Sequence, residues 1–406
     1  MRVKIDAIEP GAAPFPPANL VFLVDVSGSM ATPDKLPLVK SSLRMLVNQL
    51  RPQDRVALVV YAGRTCVELP STPGSEKQTI LRAIDRLDAG GATAGEAAIK
   101  LAYDEAQTGF IKGGINRVLL ATDGDFNVGV SDTATLEDMV ARLRETGISL
   151  TTLGFGTGNF NDHLMEQIAD VGNGNFAYID SVDEARKVLV TEMQSTLNTV
   201  ASDVKIQVEF NPALIQEYRL IGYENRVLQE EDFNNDKVDA GEVGAGKTVT
   251  ALYEITPVGA APTISPRRYE SNTATEATKP VSHNHELAFV RIRYKPVGEQ
   301  ESVLLERAVT REMFFAKFER APADLRFAAA VAAFGQLLRD NPRLGDFGYA
   351  DVHQLAKESL GKDEGGYRRQ FLSMVETARD LGFDVSRSYS NGAAECPVGF
   401  VEGTSG

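Results

Sequence analysis

The stretch from Asn19 to Met30, NLVFLVDVSGSM, constrains the fold of this chain more than any other. Leu20 to Val24 is an unbroken run of apolar, mostly β-branched or aromatic residues. Such a run reads as a strand buried on both faces, as in a parallel sheet covered by helices. It ends on Asp25, and Ser27, Gly28 and Ser29 follow at once. A carboxylate and two hydroxyls crowded onto one tight loop make a poor core. They make a good oxygen cage for a small hard cation such as Mg²⁺, which takes carboxylate, hydroxyl and water ligands at about 2.1 Å. Gly28 lets the backbone turn between the two serines.

Around this strand the pattern is that of a doubly wound α/β domain. LPLVKSSLRMLVNQL carries Leu36, Val39, Leu43, Leu46, Val47 and Leu50 at helical spacing. RVALVVYAG and TCVELP read as strands joined by a short turn, hence antiparallel. SEKQTILRAIDRL reads as a helix capped by Ser75, with Ile80, Ala83, Ile84 and Leu87 on one face. GGATAGEAAIKLAYDEA is a glycine loop feeding a helix, and NRVLLATDG is a second buried strand ending on an aspartate. Helix, strand, helix, strand and helix then follow to about residue 200. This alternation predicts a mostly parallel six-stranded sheet with helices on both faces.

Beyond residue 200 the period changes. VKIQVEF alternates strictly, which points Val204, Ile206, Val208 and Phe210 inward and Lys205, Gln207 and Glu209 outward. EYRLIGY, TVTALYEI, ELAFVRIRYK and ESVLLERAV continue in the same manner with no helix between them. An antiparallel sheet or sandwich is expected over 201–310. The opening VKIDAI alternates in the same way, and the Pro-rich GAAPFPPA separates it from Asn19. Residues 1–16 are therefore expected to pack with the β domain, with the α/β domain of 17–200 inserted between. Helices return over 311–385, beginning with MFFAKF, and 386–406 has no period and reads as a loose tail.

Three segments place oxygen donors where ligands of doubly wound sheets collect, at the carboxyl ends of strands. They are Asp25-x-Ser27-x-Ser29, Thr93 in Gly90-Gly91-Ala92-Thr93, and Asp123 directly after RVLLAT. Helix capping and strand termination offer a plainer account of any one segment, but not of all three together. Two carboxylates and three neutral hydroxyls leave a dication electrophilic, disposed to accept an anionic oxygen from outside.

These motifs resemble the metal-ion-dependent adhesion site of von Willebrand factor type A domains, and the resemblance covers about 19–200. It implies that Asp25, Ser27, Ser29, Thr93 and Asp123 ligate Mg²⁺ or Mn²⁺, some through water, and that a partner's Asp or Glu carboxylate completes the octahedron. EYRLIGYENRVL and EDFNNDKVDAGEVGAGKTVTALYEI resemble the C-terminal region of bacterial YfbK-type proteins. Those proteins typically begin with a lipoprotein signal and a further segment. The resemblance therefore implies a cell-envelope setting and a chain that is a piece of a longer one.

Other signals are weaker. GEVGAGKT matches the G-x-x-x-x-G-K-T phosphate loop, but it follows a polar segment and precedes a strand, so a turn between β elements and no nucleotide is expected. DFNNDKVDAGE resembles a calcium loop, yet Lys237 stands where glycine is needed and Val243 where the bidentate glutamate belongs. The net charge of −14 argues against a nucleic-acid partner. Cys66 and Cys396 make no zinc or disulfide framework. His163, His283, His285 and His353 fall in no motif that supplies a general base, so no catalysis is expected. The expected function is metal-dependent capture of a protein partner. A metal-assisted hydrolase and a scaffold with vestigial metal binding are the alternatives.

Overall fold

The computed structural model describes residues 1–7, 15–62, 64–91, 95–124, 133–156, 161–192, 198–223, 227–238, 240–264, 285–296, 298–315 and 317–381. Its centre is a six-stranded sheet built from β2 (Ala18–Asp25), β3 (Arg55–Ala62), β4 (Arg64–Pro73), β5 (Ile115–Thr122), β6 (Ser149–Phe155) and β7 (Phe176–Ile179). The spatial order is β4-β3-β2-β5-β6-β7, and every pairing is parallel except β3 with β4. All eight residues of β2 are buried, as its apolar run requires.

Leu20, Phe22 and Val24 face one layer, formed by α1 (Leu36–Gln49), α2 (Lys77–Asp85) and the short α6 (Val182–Arg186). Val21 and Leu23 face the other, formed by α3 (Gly95–Thr108), α4 (Thr133–Arg144) and α5 (Asp162–Val171). Each buried Leu, Val or Phe contributes about 1.5–3 kcal/mol, so these two layers dominate the stability of the domain. The chain leaves β2 toward β3 on one side and returns in β5 on the other. The carboxyl ends of β2 and β5 are therefore the switch point of the sheet, where a crevice opens.

β1 (Arg2–Asp6) pairs antiparallel with β11 (Thr248–Pro257), and β11 with β9 (Ile215–Ile221). A four-stranded antiparallel sheet runs β10 (Gly241–Gly244), β8 (Thr199–Phe210), β12 (Glu286–Pro296), β13 (Val303–Thr310). Residues 2–6 thus belong to the β region, and the α/β domain lies between β1 and β8 in the chain. α7 (Ala323–Leu338), α8 (Tyr349–Glu358) and α9 (Tyr367–Asp380) close on a core of Ala330, Phe334, Tyr349, Val352 and Val375. Phe371 meets Phe327 and Phe334 edge-on at 5.5 and 5.4 Å, so these aromatic faces serve packing.

Four local expectations are corrected. Ser75 does not cap α2; the helix starts after Glu76, whose amide closes a turn onto the Pro73 carbonyl. The described residues of MFFAKF form no α-helix: 3₁₀ turns at Arg311–Met313 and Phe318–Arg320 take in its two ends, and the α-helix begins only after Pro322. Lys205 does not face solvent but is 2% exposed. Its ammonium donates to the carbonyls of Asp232 and Asn235, at 3.2 and 2.6 Å. The last helix before β8 is not continuous, since α6 passes into a π-helical turn at Lys187–Thr191.

Candidate functional site

The site begins with the turn after β2. Asp25 is fully buried, and its Oδ1 accepts the backbone N–H of Ser27 at 2.8 Å. The Thr122 hydroxyl, at the end of β5, donates to Asp25 Oδ2 at 3.3 Å. Burial pushes the Asp25 carboxyl above its ordinary value; the Ser27 bonds oppose this, and the charge of Asp123 adds to it. Tyr61, at the end of β3, is pushed well above its ordinary value by burial and then by Asp25. The floor of the crevice is therefore a desolvated carboxylate ringed by hydroxyls.

Ser27 and Ser29 stand above it. Ser27 precedes a 3₁₀ turn, Gly28–Ala31, but its side chain caps nothing. Its Oγ lies 2.9 Å from Ser29 Oγ instead. Neighbouring oxygens of an octahedral ion with bonds of about 2.1 Å lie about 3.0 Å apart, so this hydroxyl pair has the spacing of two ligands to one Mg²⁺. Ser27 is buried and Ser29 exposed, so the donors run from the floor to a solvent-facing rim.

The glycine loop is stitched to this turn. Gly90 N–H donates to the Val26 carbonyl at 2.7 Å, and Gly28 N–H to the Gly91 carbonyl at 3.3 Å. Gly90 and Gly91 are exposed. Thr93 lies outside the described residues. On the other side Asp123 follows β5 and is 6% exposed. Of the five residues singled out by sequence, Asp25, Ser27, Ser29 and Asp123 are thus gathered at one edge of the sheet. The described donors are carboxylates and hydroxyls, a set that suits a hard cation such as Mg²⁺ or Mn²⁺.

Three further residues belong to the site. Thr122, the last residue of β5, and Tyr61, the last but one of β3, follow the apolar runs Val118–Ala121 and Val56–Val60 as side chains that carry a hydroxyl, which is a legible signal. Lys35 is the third: its Nζ donates to Asp123 Oδ2 at 2.9 Å. No motif marks it, because it sits in the turn before α1 and reads as an ordinary solvated lysine.

The weaker motifs resolve into structure. GEVGAGKT is strand, turn and strand, spanning β10, Ala245–Lys247 and β11. Ala245 N–H donates to the Asn198 carbonyl at 2.9 Å, and Lys247 pairs with Glu192. In the calcium-like loop, Lys295 takes the Asp236 carbonyl at 2.7 Å, Arg293 takes Asn234 Oδ1 at 3.0 Å and Ser302 takes Asp236 Oδ1 at 2.6 Å. Two of the loop's candidate side-chain oxygens are thus already held, Asn234 Oδ1 by a guanidinium and Asp236 Oδ1 by a hydroxyl, while Lys205 and Lys295 take main-chain carbonyls. His163 is exposed on α5, His353 pairs with Glu376 at 3.0 Å in the helical region, and His283 lies outside the described residues.

The family model of the von Willebrand factor type A domain matches residues 19–211, and that of the C-terminal region of uncharacterized protein YfbK matches 195–381. The chain is a von Willebrand factor type A protein of the YfbK family. Uncharacterized protein YfbK of Escherichia coli is 48% identical over 93% of this chain and 64% of its own length. The uncharacterized protein sll0103 of Synechocystis is 30% identical over 48% of this chain and 46% of its own. A solved von Willebrand factor type A structure from Catenulispora acidiphila is 15% identical, covers 92% of this chain and 88% of its own, and superposes with a TM-score of 0.49. The chain therefore spans less than two thirds of the length of these curated relatives. Type A domains commonly mediate protein–protein interaction, often with a metal. No described helix of this one is long and apolar enough to cross a membrane.

Proposed function

We propose that this type A domain is a divalent-metal-dependent protein-binding module acting in adhesion or complex assembly at the bacterial cell envelope. Asp25, Ser27, Ser29, Thr93 and Asp123 would hold Mg²⁺ or Mn²⁺. Bound there, the dication supplies an electrophilic position that an Asp or Glu carboxylate of the partner fills. The observation that carries this reading is the gradient from floor to rim: a buried carboxylate below, a hydroxyl pair at ligand spacing, and an exposed glycine edge above.

The residues of the chain do the rest. The Ser27 amide and Thr122 hydroxyl fix the orientation of Asp25. The bonds from Gly90 and Gly28 hold the glycine loop against the serine turn, so that the rim is preformed. A hydrolase needs a base beside a metal-bound water. No motif in the sequence supplies such a base beside Asp25 or Asp123, and this favours binding over hydrolysis.

The test is a pull-down from bacterial envelope extract with the intact chain, in Mg²⁺ and in EDTA. The reading expects a partner that is recovered with Mg²⁺, lost in EDTA and lost with Asp25→Ala. Equal recovery in EDTA, or by the Asp25→Ala chain, would contradict it.

A further inference from the structure

Lys35 is built into the crevice in a way that a solvated lysine is not. Its backbone N–H donates to the Thr32 carbonyl at 3.0 Å, and its own carbonyl accepts from Val39 at 2.8 Å, which fixes the turn that launches α1. Its methylene stem crosses the Cα of Gly156, just after β6. A Cβ on Gly156 would stand 2.5 Å from Lys35 Cγ and 2.5 Å from Cε, so any side chain there would force the stem off this path. Gly156 is itself held, since the Tyr178 hydroxyl donates to its carbonyl at 2.6 Å, and its φ of +82° suits glycine. Guided along this track, the ammonium reaches Asp123 Oδ2, with the side chains of Lys35 and Asp123 only 17% and 4% exposed.

Buried carboxylates crowded together need a counter-charge when no metal is present. We propose that Lys35 is a tethered counter-cation of the metal site: it neutralises Asp123 in the metal-free protein and competes with the dication for that carboxylate. This rests on the metal-binding reading above and adds its regulation. A dication and an ammonium on one carboxylate repel each other, so metal entry must displace or loosen the lysine. The site is therefore stable without metal and binds metal more weakly than its oxygens alone allow.

The test uses the intact chain and three forms: wild type, Lys35→Met and Lys35→Arg. Methionine keeps an apolar stem over Gly156 and removes the charge; arginine keeps the charge. Mg²⁺ and Mn²⁺ affinities are measured by calorimetry, and melting temperatures are taken in EDTA. Lys35→Met is expected to bind metal about tenfold more tightly, the scale of an ordinary coupling between two ligands, and to melt lower in EDTA. Lys35→Arg is expected to match wild type in both. Equal or weaker metal binding by Lys35→Met, with wild type still binding, overturns the role of Lys35 and leaves the site standing. Absence of binding by both wild type and Lys35→Met at millimolar metal overturns the site itself, and this inference with it.

Discussion

Asp54 offers the sharpest test of how the site strand is held in place. Its carboxylate accepts from Ala18 N–H at 2.9 Å and from Arg51 at the amide (2.7 Å), Nε (3.0 Å) and Nη2 (2.7 Å). Arg51 also donates to the carbonyls of Phe15 and Pro16, both at 2.6 Å, and stacks over the Phe15 ring. One carboxylate thus ties the entry of β2 to the loop that ends α1, and β2 carries Asp25 at its other end. Removing one partner of a buried pair costs about 3–5 kcal/mol. Arg51 is 29% exposed and keeps its two carbonyl partners, so the lower end applies and Asp54→Ala should cost about 3 kcal/mol. For a domain of this size that lowers the melting temperature by about 6–12 °C.

Burial opposes ionisation of Asp54, but the Arg51 and Ala18 bonds outweigh it and hold the carboxyl below its ordinary value. A depressed carboxyl stabilises above its unfolded pKa of about 3.9 and loses that contribution as pH falls through the folded value. The gap between wild type and Asp54→Ala should therefore be full at neutral pH and shrink on acidification below about pH 4. Differential scanning calorimetry across pH, with an Arg51→Ala/Asp54→Ala double-mutant cycle, measures both. A cost below about 1 kcal/mol, the range of exposed pairs, or strict additivity in the cycle, would refute the clamp.

The raised Asp25 carboxyl makes the opposite prediction. Its penalty is complete above the folded pKa and vanishes as pH falls to the unfolded value. In EDTA at pH 7, Asp25→Asn should be at least as stable as wild type, with the difference fading toward pH 4, and metal binding should be lost. A clearly less stable Asp25→Asn by urea titration would mean that Asp25 is structural. Deletion of residues 1–6 removes β1 from β11 and should destabilise the β region while leaving Mg²⁺ affinity unchanged; loss of metal binding would show that β1 supports the site. Lys247→Ala breaks a half-exposed pair with Glu192 and should cost about 0.5 kcal/mol. Neither form should bind ATP in a calorimetric titration, and micromolar affinity lost in the variant would show that the turn cradles phosphate.

Much of the α/β fold was legible because its strands are buried on both faces. Leu20 to Val24 and Val118 to Ala121 carry that burial as unbroken apolar runs, and no other arrangement hides them. The oxygen donors were legible because Asp25, Ser27, Ser29 and Asp123 break such runs at the strand ends. Lys205 was not legible: strict alternation points it outward, and only the distant turn at Asp232–Asn235 explains its burial. MFFAKF has helical composition but too little length before Pro322, and its Phe314, Phe315 and Phe318 stay exposed. Lys35 was missed because it reaches the site through Gly156 and not through a motif. Asking which cation balances two buried carboxylates would have raised it.

The proposed function stands on divalent-metal binding through Asp25 and Asp123. Titration of Mn²⁺ into the intact, EDTA-stripped chain, followed by electron paramagnetic resonance, measures this most directly. One Mn²⁺ site per chain is expected, displaced by Mg²⁺ and absent in both Asp25→Ala and Asp123→Ala. A wild-type chain that binds no Mn²⁺, or a site that survives in both variants, would contradict it.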